Sequence, residues 1–101
     1  MNEQTLAQLA HFLRDLGRAL HVSGAPAHDL EAAMNEIGQR LGARVEGFAV
    51  LTFLALTVVS GEHARRVELL RLPPYDYNMA RLIELEVLCR EISSVDDLQC
   101  Y

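Results

Sequence analysis

The chain has 101 residues, 50% of them apolar, with 14 acidic side chains against nine basic ones and a net charge of −5. That apolar share excludes intrinsic disorder, two cysteines exclude a disulfide framework, and the acidic balance argues against nucleic acid, whose phosphates are bound by basic surfaces. All nine cations are arginine, so there is no lysine to form a Schiff base or serve as a catalytic amine.

Met1-Asn2-Glu3-Gln4 lacks the basic start and apolar stretch of a signal peptide. Leu6, Leu9, Leu13, Leu16 and Leu20 follow at spacings of three and four, which predicts a helix over about Glu3 to Val22. Gly24 supplies a left-handed stop, and Pro26 suits the first turn of a new helix. Leu30, Met34, Ile37 and Leu41 form the second stripe, ended by Gly42. Two stripes joined by so short a break read as an antiparallel helical hairpin.

From Arg44 to Val59 the chain is rich in valine, phenylalanine, threonine and leucine, which suits strands. It reads as one bent strand or two. Phe48 to Val59 is its longest apolar run, too short for the about 20 residues of a membrane-spanning helix. Ser60-Gly61-Glu62-His63 predicts a turn, and Ala64 to Leu72 a returning strand. A third helix is expected after the N-cap Asn78, with Leu82, Leu85, Cys89 and Ile92 on one face. Ser94-Val95-Asp96-Asp97 resembles the start of another. The expectation is a single α+β domain over residues 1–101: a helical hairpin, a small antiparallel sheet of two or three strands, and a C-terminal helix.

The strands carry an excess of apolar residues. Both parities between Val45 and Val59 are apolar, whereas a sheet with one wet face alternates more cleanly. Either three helices wrap the sheet completely, or one face meets a partner: a second copy or another part of the same polypeptide.

Motifs for chemistry are sparse. No phosphate loop, dinucleotide fingerprint, nucleophile elbow or zinc-protease signature is present, and no cofactor is indicated. Ser23, His28 and Asp29 gather near the hairpin turn and form the one candidate nucleophile set. Their plainer reading is a turn residue followed by an exposed first helical turn, where an acid suits the dipole. His11, His21, His28 and His63 with Cys89 and Cys100 lack metal-ligand spacing, so no metal site is expected. Cys89 reads as a buried thiol. His63, Arg65, Arg66 and Arg71 make the returning strand the most basic segment, interleaved with Glu62 and Glu68. This is either a solvated ion-pair face or a surface for anionic headgroups or an acidic partner. Tyr75-Asp76-Tyr77, after Pro73-Pro74, is a stiff aromatic loop suited to a ligand or to packing the third helix.

Gly17-Arg18-Ala19-Leu20-His21-Val22-Ser23-Gly24-Ala25, then Leu30-Glu31, Met34 and Leu41-Gly42, resembles the opening of the threonine/serine exporter (ThrE) family. Arg71-Leu72-Pro73-Pro74, followed by Asn78, Arg81-Leu82 and Leu88, is similar to that family's stretch between last strand and third helix. The resemblance covers about Leu6 to Ile92. Its motif positions are Gly17, Ser23, Gly24, Ala25, Glu31, Pro73, Asn78 and Arg81. It implies a role in exporting small hydroxy amino acids or related metabolites, with this region as an N-terminal extramembrane domain on the cytoplasmic side of the inner membrane. Such a domain would serve assembly, gating or substrate sensing. The partners implied are its own transmembrane domain, a second copy as a homo-oligomer, and a small amino acid. Two other readings stand beside it: a small hydrolase using Ser23 with His28, and a free-standing module binding an amino acid near Tyr75 and Tyr77.

Overall fold

The computed structural model describes residues 3–50, 52–61, 64–74, 77–93 and 98. The leucine stripe forms α1 (Glu3–Val22), with Leu6, Leu9, Ala10, Leu13, Leu16 and Leu20 buried. Beyond it the Ala25 N–H donates to the Leu20 carbonyl and the Gly24 N–H to that of His21. These two bonds need a residue with positive φ at the turn, and Gly24 stands at +99°. The second helix, α2 (Ala27–Arg40), ends the same way: Ala43 N–H reaches the Gly38 carbonyl, Gly42 N–H that of Gln39, and Gly42 has φ +83°.

Three antiparallel strands follow as a meander, β1 (Arg44–Val50), β2 (Phe53–Ser60) and β3 (Ala64–Arg71). Val50 pairs with Phe53, so a two-residue connection joins β1 to β2 with no glycine or proline in it. That connection moves the inward-facing set from odd positions (Val45, Gly47, Ala49) to even ones (Leu54, Leu56, Val58). Both parities look apolar in the sequence for this reason.

The hairpin lies on one face of the sheet, α2 over β1 and α1 over β2 and β3. Val45, Leu54, Leu56 and Val58 complete the core there. Gly47 permits the close approach of α2, since a Cβ on it would stand 2.7 Å from Met34 Cε. Among the described residues no helix covers the other face. Phe48 is 63% exposed and Leu69 63%, with Val50, Phe53 and Val67 also open. Of the two readings of the apolar excess, complete wrapping by helices is corrected: among the described residues three helices are present, but the hairpin covers one side and α3 (Met79–Glu91) packs beyond it.

Leu85 and Ile92 of the predicted α3 face are buried, with Leu82 and Cys89 packed against the core. Met79, Ile83 and Val87 form a second, exposed stripe on the same helix. The Ser94 to Asp97 cap and Cys100 lie outside the described residues.

Candidate functional site

Backbone groups draw the end of α1 and the start of α3 together. The Asn78 N–H donates to the Ser23 carbonyl (3.0 Å), and the Asn78 side-chain oxygen accepts from the Arg81 N–H (3.0 Å). One residue thus caps α3 and fastens it to the hairpin turn. His21, 8% exposed, donates from Nε2 to the Pro73 carbonyl over 2.9 Å. A carbonyl can only accept, so the ring proton sits on Nε2. Gly24 lets the loop before α3 close in: a Cβ there would stand 3.0 Å from Tyr77 Cδ2.

Between these helix ends lies an open depression of about 400 Å³, lined by Asp15, Arg18, Ser23, Asn78 and Arg81 with the apolar Ala19 and Val22. Two arginines, an aspartate, a serine and an asparagine line one space. This donor and acceptor set suits a small zwitterion. Guanidinium forks pair with a carboxylate, a carboxylate holds an ammonium, and the hydroxyl and amide can each match a further hydroxyl.

Two other depressions flank the turn. The cleft between α2 and α3, about 380 Å³, has both charge signs on its walls, but its Arg40 is already engaged. Arg40 donates to the Cys89 carbonyl and, over 3.2 Å, to that of Ile92, while pairing with Glu36 at 2.7 Å. A cation there satisfies the free carbonyls at the end of α3 and opposes the negative end of its dipole. Burial pushes the adjacent Cys89 thiol above its ordinary value, against the pull of Arg40. The third depression, about 600 Å³, is lined mainly by apolar groups such as Pro26, Leu30 and Val50, with His21 at its wall.

The family model for threonine/serine exporters, ThrE, matches residues 11–97, a span that holds α1 from His11 onward, α2, the sheet, α3 and every residue lining the polar depression. The chain belongs to the ThrE family. No curated protein and no solved structure matches it. Among the described residues no helix is long and apolar enough to cross a membrane.

The positions that carry the ThrE resemblance divide by what they do in the fold. Gly17 serves packing: a Cβ on it would stand 2.8 Å from Leu54 Cδ2. Glu31 reaches across to β1, its Oε1 accepting from the Ala49 N–H at 2.9 Å. Gly24, Ala25 and Pro73 shape the turn and hold the loop before α3. Ser23, Asn78 and Arg81 also line the polar depression.

Ser23 is 4% exposed, whereas His28 and Asp29 pair with each other at 3.0 Å on an open helical turn. Among the described residues no hydrogen bond joins Ser23 to His28. His11 lies 3.1 Å from Glu68, and Arg66 turns the same way, its Nε 3.3 Å from Glu68 Oε1. No group of three His, Cys, Asp or Glu able to hold a metal gathers among the described residues. Tyr77 is exposed and donates to Met79 Sδ (3.7 Å); Tyr75, Asp76 and His63 lie outside the described residues.

Sequence reasoning missed Asp15, Arg18 and Arg40. The first two carry a weak signal, for Asp15, Arg18 and Val22 recur at helical spacing and lead to Ser23. Arg40 carries none, since its partners at Cys89 and Ile92 are 49 and 52 residues away.

Proposed function

We propose that this chain is an extramembrane module of a threonine/serine exporter, standing on the cytoplasmic side of the membrane, and that it senses the exported amino acid in the depression between α1 and α3. The observation that carries this reading is the meeting of three motif residues, Ser23, Asn78 and Arg81, with Asp15 and Arg18 around one small open space. In the bound state Arg18 and Arg81 hold the amino acid's carboxylate and Asp15 its ammonium. Ser23 and Asn78 pair with the side-chain hydroxyl that distinguishes threonine and serine from alanine. Because Asn78 also caps α3 and bonds the Ser23 carbonyl, occupancy bears directly on how α3 sits against the hairpin. That link converts binding into a signal for assembly or gating.

Titrating L-threonine into isotopically labelled protein tests it by amide chemical shifts. The expected result is saturable movement at Arg18, Ser23 and Arg81, weaker with L-alanine and lost in Arg81→Ala. Unmoved amides at millimolar threonine would remove the reading.

A further inference from the structure

The uncovered face of the sheet has a definite chemical pattern. Its rows follow from the strand register: Arg44–Val59–Arg65, Glu46–Thr57–Val67, Phe48–Ala55–Leu69 and Val50–Phe53–Arg71. The middle rows expose Phe48, Val67 and Leu69 beside Glu46, with Ala55 and Thr57 half-buried between them, and arginines mark both ends. Among the described residues Glu46 is the one carboxylate on this face, and it lies 3.8 Å from Arg44. No ion pair engages Arg65 or Arg71 among those residues. Glu68 faces the other way, beneath α1, and the remaining described carboxylates are on the helices. Among its described residues a chain of net charge −5 therefore presents three arginines against one glutamate beside its most exposed apolar surface.

We propose that this face lies on an anionic lipid surface. Phe48, Val50, Phe53, Val67 and Leu69 enter the headgroup boundary, while Arg44, Arg65 and Arg71 form bidentate bonds with lipid phosphates. The acidic helices then point away from the bilayer, so the charge distribution orients the domain as well as attracting it. A second copy fits this face less well. Strands ~4.8 Å apart with ~3.3 Å per residue give it a flat area of about 350 Å². Two such faces together cover about 700 Å², short of the ~1,200 Å² of a stable pair, and they would set arginines against arginines. The proposal stands independently of the amino-acid site, which lies between α1 and α3.

Co-sedimentation of the 101-residue chain with vesicles tests it. The chain is expected to sediment with phosphatidylcholine–phosphatidylglycerol vesicles (two parts to one), only weakly with phosphatidylcholine alone, and less as salt rises. Each arginine near such a surface contributes about a fivefold gain in partition, so Arg65→Gln with Arg71→Gln lowers it about 25-fold. Arg90→Gln, which removes one such charge from α3 instead of from the sheet face, leaves it unaltered. Leu69→Ser lowers it without reducing the salt dependence. Equal sedimentation with neutral and anionic vesicles overturns the proposal. So does a chain that ignores vesicles but sediments in the ultracentrifuge as a dimer dispersed by Leu69→Arg, which assigns the face to a second copy.

Discussion

The two faces of the sheet are built from the same three strands, yet they meet opposite fates. On the helix side, Val45, Leu54, Leu56 and Val58 are at most 5% exposed, and small residues at Gly47 and Ala49 let α2 settle close. On the other side, larger side chains remain in the open, with Phe48 and Leu69 each at 63%. Intrinsic hydrophobicity does not separate these sets. What separates them is whether a helix has somewhere to lie. The hairpin spans one face, and polar groups complete its margin where His11 of α1 and Arg66 of β3 gather round Glu68. The proposed lipid contact rests on this open apolar surface.

The sharpest way to test that contrast is to truncate both faces. Leu56→Ala, in the centre of the covered face at 1% exposure, is expected to cost about 3 kcal/mol, a fall in Tm of roughly 15 °C. Phe48→Ser on the open face should change stability by no more than ~0.5 kcal/mol, while reducing vesicle binding. Equal thermal penalties for the two would break the comparison.

Overpacking the covered side gives the next effect in size. A Cβ at Gly38 would meet Val45 Cγ2, a stiff branched side chain in the core, so Gly38→Ala is expected to cost about 2 kcal/mol by urea denaturation. At the rim, His21→Leu removes the donor to the Pro73 carbonyl. About 1 kcal/mol should be lost, with faster amide exchange around Asn78, where the loop is held to the turn.

Smallest is the effect of titrating Cys89. Burial raises its folded pKa above the ordinary thiol value of 9.0, so the native chain keeps a proton that the unfolded chain releases. The contribution to stability is complete below the unfolded pKa and is lost as pH rises towards the raised folded one. In a Cys100→Ser background, thiol labelling at mildly alkaline pH should be slower for folded than for unfolded protein.

Much of the fold was legible because its signals are local. The leucine spacing of α1, the glycine stops at Gly24 and Gly42, and the Asn78 cap each depend on residues within one or two turns, and each stands where the sequence places it. The strand content of Arg44 to Val59 was equally plain. Its division was not, because the connection after Val50 contains no glycine or proline to announce it. The polar depression was half visible. Ser23, Asn78 and Arg81 appear among the motif positions, but Asp15 and Arg18 join them only once α3 is folded back against α1.

Taken alone, the sequence determined the element types, the hairpin and the ThrE resemblance, since periodicity, capping and motif spacing are properties of neighbouring residues. Tertiary structure decided which apolar side chains are buried, which charges share a space, and how Arg40 closes the end of α3 from 49 residues away. Periodicity says that a side chain needs cover. Only the path of the rest of the chain decides whether it has any.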